Sequence, residues 1–296
     1  MKIIQSYWSK PGNLNKNDFL NFNRCGWLDR KYHYFAWILS AKQLLKYYKD
    51  VELVTDNQGY DLLINKLEIP YSKASVELNE IKDYHPNLWA MGKILSYRLQ
   101  KEAFIHVDGD VFIWKKFTEK LENAELLCQN PEEGFSYDQY YRKAFLPIAL
   151  NFDYYPEVLN SSINKNGCIK AVNAGILGGT NIKFVQNYTE EALAFINKNI
   201  TKLKLIDSSL FNVIFEQFLF RSMADHNNID IAYFHNSTVS PHFFEFAGIP
   251  DRTSYIHLSG TSKKDILHCT LLENKLRTEY PMDYARVIRL LKKNQI

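Results

Sequence analysis

Two carboxylates separated by a single glycine, Asp108-Gly109-Asp110, follow the apolar run Phe104-Ile105-His106-Val107. If the strand continues through them, both side chains point to one face. Two hard oxygen ligands one pleat apart suit Mg²⁺ or Mn²⁺, with a diphosphate supplying further oxygens. A cation bridging a diphosphate makes it a good leaving group, because it neutralises the charge that develops there. Gly109 leaves room for a ligand to approach the backbone. A solvated Asp-Gly turn is the competing explanation. The apolar residues before it argue for a buried parallel strand, and so for a site.

A second segment, Tyr255-Ile256-His257-Leu258-Ser259-Gly260-Thr261-Ser262-Lys263-Lys264, reads as a strand ending in a histidine, then a glycine, then two lysines. A neutral imidazole can complete the coordination of Mn²⁺. Gly260 allows a tight turn near phosphate, and Lys263 can hold a phosphate as a point charge. A core histidine and a solvated lysine pair would look the same in sequence. In the third segment, Val172-Asn173-Ala174-Gly175-Ile176-Leu177-Gly178-Gly179-Thr180, small residues permit close approach of a sugar, and Asn173 can both donate and accept hydrogen bonds. An ordinary strand and glycine turn is equally consistent with it.

The elements that must position these residues follow from periodicity. Residues 2–7 read as a strand, 12–26 as a long polar loop, and 32–48 as a helix. Residues 51–55 form a strand closed by the turn signal Asp56-Asn57-Gln58-Gly59, with a helix on to Leu67. A strand at 75–78, a helix at 88–100 and a buried strand at 103–107 follow. Alternating strands and helices predict an α/β fold with a mainly parallel central sheet and helices on both faces. Ligands of such sheets sit beyond the carboxyl ends of the strands, where Asp56 and Asp108 both fall. The second half is less regular. Strands are expected at 125–129, 172–177, 229–234 and 255–258, and helices at 183–198, 210–223 and 281–293. The Tyr- and Phe-rich stretch 135–156 reads as a long functional loop with some helix. No internal repeat or linker divides the chain.

Composition narrows the class. Of 296 residues, 46% are apolar and 23% charged, an ordinary globular balance. A net charge of +3 is too small to argue for nucleic acid. Cys25, Cys128, Cys168 and Cys269 form no CxxC pair and no zinc-finger spacing, so reduced thiols are expected. No signal peptide or membrane-spanning run is read, which places the protein in the cytoplasm. The basic amphipathic stretch 284–293 is either a packed terminal helix or a weak peripheral contact with an anionic membrane.

Taken together, Asp108-Gly109-Asp110, Asn173-Ala174-Gly175 and His257-x-x-Gly260-x-x-Lys263 resemble, in the same order, the motifs of glycosyltransferase family 8, which includes glycogenins and lipopolysaccharide galactosyltransferases. The resemblance covers roughly residues 3–264. The chain also resembles an uncharacterised Bacteroidetes family of unknown function with a comparable core. The first resemblance implies the GT-A nucleotide-diphospho-sugar transferase fold over 1–296, with 1–115 as the nucleotide-binding half, 116–265 as the sugar and acceptor half, and 266–296 as a C-terminal extension. It implies Asp108, Asp110 and His257 as ligands of Mn²⁺ or Mg²⁺, Gly260 and Lys263 on the β-phosphate, and Asn173 and Gly175 facing the donor sugar. Lys93 would reach the sugar or phosphate. Ser6 and Trp8, joined by Asp56, would contact the nucleoside. Glu216-Gln217 resembles the family's Asp-Gln pair beside the anomeric carbon, with Glu in place of Asp. Lys263-Lys264-Asp265 replaces the usual Lys-Pro-Trp, a departure on the phosphate side.

The expected function is therefore metal-dependent transfer of a sugar from a nucleotide-diphosphate donor to a saccharide or lipid-linked glycan, with retention of configuration. An inverting route would need a base, for which Glu216 is the first choice. The aromatic region 135–155, and His242 to Phe246, are the expected acceptor contacts. Two other readings remain open: a non-catalytic nucleotide- or glycan-binding protein, and a phosphatase built on the Asp-x-Asp strand end.

Overall fold

A computed structural model describes residues 1–13, 24–236, 249 and 254–296. Part of the predicted 12–26 loop and the whole of the expected acceptor contact at 242–246 lie outside the described residues. In chain order the strands are β1 (Lys2–Tyr7), β2 (Val51–Thr55), β3 (Lys73–Ser75), β4 (Phe104–Val107), β5 (Val111–Ile113), β6 (Leu126–Glu132), β7 (Ala171–Gly179), β8 (Ile231–Tyr233) and β9 (Tyr255–His257). The helices are α1 (Arg30–Tyr47), α2 (Asn57–Tyr60), α3 (Met91–Arg98), α4 (Glu119–Glu122), α5 (Phe135–Asn151), α6 (Glu157–Asn166), α7 (Ile182–Asn197), α8 (Ser208–Val213), α9 (Leu219–His226), α10 (Ile266–Glu279) and α11 (Pro281–Lys292). This is a mixed α/β protein whose strands pair mostly in parallel, as the alternation predicts.

The chain forms two compact units, each assembled from separate segments. The first comprises Met1–Lys82, Val107–Phe117 and Ser240–Ile296. Within it β3, β2 and β1 lie side by side in parallel, with Ile3 opposite Val51 and Leu53 opposite Ala74. Helix α1 is apolar around nearly its whole circumference and is correspondingly buried, from Tyr32 to Ala41 without a break. Its start is fixed by Asp29, whose carboxylate accepts from the Lys31 amide at 2.8 Å. Asp56 caps α2 through the Gly59 amide at 2.7 Å. Helix α11 packs through Val287, and its Arg286 donates to the Leu67 carbonyl and pairs with Glu68 at 2.7 Å. Among the described residues no helix is long and apolar enough to cross a membrane.

The second unit comprises Asp83–His106 and Thr118–Val239. Its strands run in the order β4-β7-β6-β8, with β6 antiparallel to β7 and parallel to β8. Glycine is obligatory where β7 passes its neighbours. A Cβ on Gly178 would lie 2.1 Å from the Phe104 carbonyl, and one on Gly179 2.1 Å from that of Glu125. From Ser208 to His226 the helical run contains a π turn, Ile214–Phe218, which carries Glu216 and Gln217.

Several elements depart from the sequence expectation. The stretch read as a loop is helix α5, because Tyr141, Ala144, Phe145 and Ile148 recur at helical spacing and are buried. Exposed Phe135, Leu146 and Leu150 on its other face hide that period in the sequence. Pro147 lies inside α5, where the Asn151 amide bonds to its carbonyl at 2.7 Å. The strand expected at 75–78 is displaced to β3, and Glu77–Ile81 is a 3₁₀ turn. Helices α6 and α10 and strand β5 add to the predicted elements.

Candidate functional site

Strand β4 ends at Val107, and the chain then turns. The Val111 amide donates to the Asp108 carbonyl at 3.1 Å, so Asp108 to Val111 is a β-turn. The two carboxylates therefore project from a turn, not from one face of a continuing strand as the spacing suggested. Two buried side chains hold the turn. Gln5 of β1 donates to the Asp108 carbonyl at 3.4 Å and to the Ser40 hydroxyl at 2.9 Å, and Ser40 of α1 reaches the same carbonyl at 3.3 Å. Tyr71 donates to the Gln5 amide oxygen at 2.8 Å and fixes its orientation. Gly109 rests against the Trp37 indole, and a Cβ there would lie 2.5 Å from the ring.

Pairing of β5 with β9 brings in the histidine. Val111 lies opposite His257, and the Leu258 amide donates to the Asp110 carbonyl at 3.0 Å. Ligand atoms of Asp108, Asp110 and His257 all lie within 4.8 Å of one another. His257 Nε2 faces Asp110 Oδ1 at 3.3 Å, while Lys263 Nζ lies 2.6 Å from Asp110 Oδ2. Without a metal, His257 donates its Nε2–H to the Asp110 carboxylate; as a ligand, the same nitrogen would be unprotonated and share the cation with that oxygen. Neighbouring ligands on a six-coordinate Mg²⁺ are about 3 Å apart, given bonds of about 2.1 Å. Two carboxylates and one imidazole thus fit a divalent cation in donor type, and the 3.3 Å between His257 and Asp110 fits its spacing.

Electrostatics agree with this. Burial pushes the Asp110 carboxyl up, but Lys263 and His257 together outweigh it and hold the group well below the usual range. Burial is the largest single influence on Lys263 and pushes it down, but Asp110, with Cys25 and Asp108 adding to the rise, carries it above its ordinary value. Gly260, at φ +53°, opens the 3₁₀ turn Gly260–Lys264 that carries the lysine. A Cβ at Gly260 would meet nothing, so the left-handed backbone, not space, calls for glycine there. The Lys263 carbonyl accepts from the Leu28 amide at 3.0 Å, and its ammonium lies 5.7 Å from the Trp27 ring.

Near this cluster the first unit places His33, which the sequence did not single out, with Tyr7 against it. His33 and Tyr7 are buried beside Trp37, with ring centroids 5.7 Å apart. Burial, helped by Lys263 and opposed by Asp110, pushes His33 down to about 3. Asp56 is shared between the α2 cap and Ser9, whose amide and hydroxyl it binds at 2.9 and 2.8 Å. Ser6 is partly exposed on β1 opposite Val54, and Trp8 is buried.

In the second unit Lys93 and Glu216 form an ion pair of 2.6 Å, with Glu216 fully buried. Lys93 also donates to the Ala174 carbonyl at 3.0 Å, and the Tyr97 hydroxyl lies 3.3 Å from the same Glu216 oxygen. The Asn173 amide donates to Glu132 at 2.9 Å, and its oxygen accepts from the Gly175 amide at 3.0 Å. Tyr141 bridges Glu132 at 2.5 Å and Gln217 at 2.6 Å. No motif marks Glu132 at the end of β6, and Tyr141 enters the sequence reading only as part of the aromatic region 135–155.

Residues 1–290 match the model of a family of unknown function, DUF6734. No curated protein matches the chain. Among solved structures it is similar to mouse xyloside xylosyltransferase 1 in its apo form, at 12% identity and a TM-score of 0.43, over 90% of this chain and 99% of that one. A likeness this distant assigns neither fold family nor activity.

Proposed function

This chain belongs to DUF6734, and we propose that it is a GT-A glycosyltransferase using Mn²⁺ or Mg²⁺ to move a sugar from a nucleotide-diphosphate donor to a saccharide or glycolipid acceptor. The observation that carries this reading is the convergence of Asp108, Asp110 and His257, from a turn and a paired strand, with Lys263 against the same carboxylate. Asp108, Asp110 and His257 would hold the cation, which when bound neutralises the departing diphosphate. Lys263 supplies a further positive charge for phosphate once the metal takes over its carboxylate partner. By resemblance to family 8, Ser6, Trp8 and Asp56 are assigned to the nucleoside, Gly260 to the phosphate, and Lys93, Asn173, Gly175 and Gln217 to the sugar.

The state of Glu216 bears on stereochemistry. A general base must reach the acceptor hydroxyl, whereas this carboxylate is sealed and held by Lys93. That favours the retaining route, in which the departing diphosphate assists the acceptor, with Glu216 positioning Lys93. On the membrane question, the use of Arg286 in internal bonds favours a packed α11.

The test is a thermal-shift panel of UDP, GDP, ADP and CDP, each with and without Mn²⁺. At least one nucleotide should raise Tm only when metal is present, and Asp108→Asn should abolish that rise. At a hundredfold excess over Kd, binding stabilises by about 2.7 kcal/mol, which is readily detected. If no nucleotide moves the melting temperature with metal present, the proposal fails.

A further inference from the structure

Helix α5 buries one face and turns an apolar row to solvent on the other. Its exposed residues Phe135, Gln139, Lys143, Leu146 and Leu150 follow at intervals of four, four, three and four, so they share one stripe of the helix. Phe135 is 80% exposed, Leu146 54% and Leu150 83%. Single exposed apolar side chains are ordinary, whereas a contiguous group of them marks a contact surface.

The row continues past the end of the helix. Asn199, at the start of the 3₁₀ turn Ile200–Leu205, accepts from the amides of Asp153 and Tyr154 at 3.1 and 3.3 Å and donates to the Tyr154 carbonyl at 2.6 Å. The turn is thereby fastened to the chain just beyond α5, next to the end that carries Leu146 and Leu150. It adds Ile200 and Leu205, 45% and 51% exposed, while Leu203 between them packs inward.

Charge on these two segments has one sign. From Gln139 to Phe152 the chain carries Arg142 and Lys143 and no acid, and from Phe195 to Ile206 it carries Lys198, Lys202 and Lys204 and no acid. The acids that flank them are already engaged. Asp138 pairs with Arg142, Asp153 pairs with Lys202, and Asp207 accepts from the Ser209 amide at the start of α8. Lys198 lies over the Tyr154 ring at 3.6 Å. Lys143 and Lys204 are exposed and, among the described residues, pair with no carboxylate. Apolar tips with unpaired ammonium groups between them complement a surface that is apolar beneath and anionic on top. A convex helix ridge suits a deformable partner of that kind. Its apolar side chains can sink to the boundary of headgroups and acyl chains, while lysine stems lie along the surface and their ammonium groups reach lipid phosphates.

We propose that the outer face of α5, with the turn Ile200–Leu205, docks on a bilayer containing anionic phospholipid. The inference goes beyond the transferase reading and does not rest on it, since this surface uses neither metal nor nucleotide.

The experiment is sedimentation of the full chain with vesicles of phosphatidylcholine alone and of phosphatidylcholine mixed with phosphatidylglycerol. The wild type should sediment with the mixed vesicles, and less so as salt is raised. Lys143→Gln with Lys204→Gln should weaken binding roughly tenfold or more, given the attraction of each lysine to an anionic surface. Leu146→Gln with Leu150→Gln should also weaken it roughly tenfold or more, by removing inserted apolar groups. All four positions are exposed, so Tm should stay near wild type. Met282→Gln with Lys292→Gln, on the exposed side of α11, should bind like the wild type. The proposal is overturned if the wild type does not bind mixed vesicles, if neither the lysine pair nor the leucine pair weakens binding, or if the α11 pair alone abolishes it. A wild-type dimer in light scattering that becomes monomeric in Leu146→Gln with Leu150→Gln, without vesicle binding, gives the face to a second copy and overturns the lipid partner. Nucleotide stabilisation is read in a separate measurement, so failure of either reading leaves the other standing.

Discussion

Lys263 Nζ and Asp110 Oδ2 are 2.6 Å apart, so the carboxylate best placed to bind a cation already has one beside it. A metal entering between Asp108, Asp110 and His257 competes with that ammonium for Asp110. Removing the ammonium therefore has opposite consequences for metal and for phosphate.

Lys263→Met should bind Mn²⁺ about tenfold or more tighter in the absence of nucleotide. Removing a unit positive charge at this range is worth on the order of 1–4 kcal/mol at surface-like to intermediate screening. The same variant should bind a nucleoside diphosphate more weakly in the presence of saturating Mn²⁺. Calorimetric titrations of metal, and then of nucleotide into the metal-loaded protein, read the two effects. A variant that loses both affinities would show that Lys263 is structural.

The pH dependence of stability carries a second prediction. His33 is pushed down to about 3, against about 6.5 in an unfolded chain. Between those values the unfolded state binds the extra proton, so stability rises with pH across this window and is lost as the solution is acidified. The limiting slope for one such group is about 1.4 kcal/mol per pH unit. His33→Gln should flatten the acid limb of Tm against pH between about 3 and 6.5. His106, lowered chiefly by burial, keeps part of the slope in that variant.

The Lys93–Glu216 pair separates stability from function. Glu216→Gln removes the anion 2.6 Å from a buried ammonium and should cost about 3–5 kcal/mol, measured by denaturant unfolding. The double variant Lys93→Met, Glu216→Leu should recover most of that loss, because well-packed apolar residues can replace a buried pair without penalty. It should remain without transferase activity. Recovery of activity along with stability would place the pair outside the chemistry.

Gly109→Ala should destabilise by about 1–3 kcal/mol through overpacking against Trp37, and should weaken Mn²⁺ binding by shifting the turn. Trp37→Leu in the same chain should restore part of both. Failure of that rescue would mean that the turn, not the indole, fixes the requirement for glycine.

The cluster of Asp108, Asp110 and His257 is legible in the sequence because Asp108-Gly109-Asp110 and His257 each follow a short apolar run. Their arrangement was less so. A period of two puts Asp108 and Asp110 on one face, and only the Asp108–Val111 hydrogen bond shows the turn. Gln5 and Ser40, which clamp that turn, look like ordinary strand and helix residues, since long-range side-chain bonds leave no periodic trace. Helix α5 is legible only as a loop with some helix, because Phe135, Leu146 and Leu150 put apolar residues on its exposed face as well. The buried state of Lys93 and Glu216 was hidden for a related reason, as charge usually signals surface.

The π turn at Ile214–Phe218 amounts to one residue inserted into an α-helix. Each added residue rotates the following helix by about 100°. A relative with an unbroken helix here would be one codon shorter, and its counterpart of Glu216-Gln217 would need a gap to line up. An alignment that forbids gaps inside helices would slide Glu216-Gln217 about 100° around the helix from the pair it resembles.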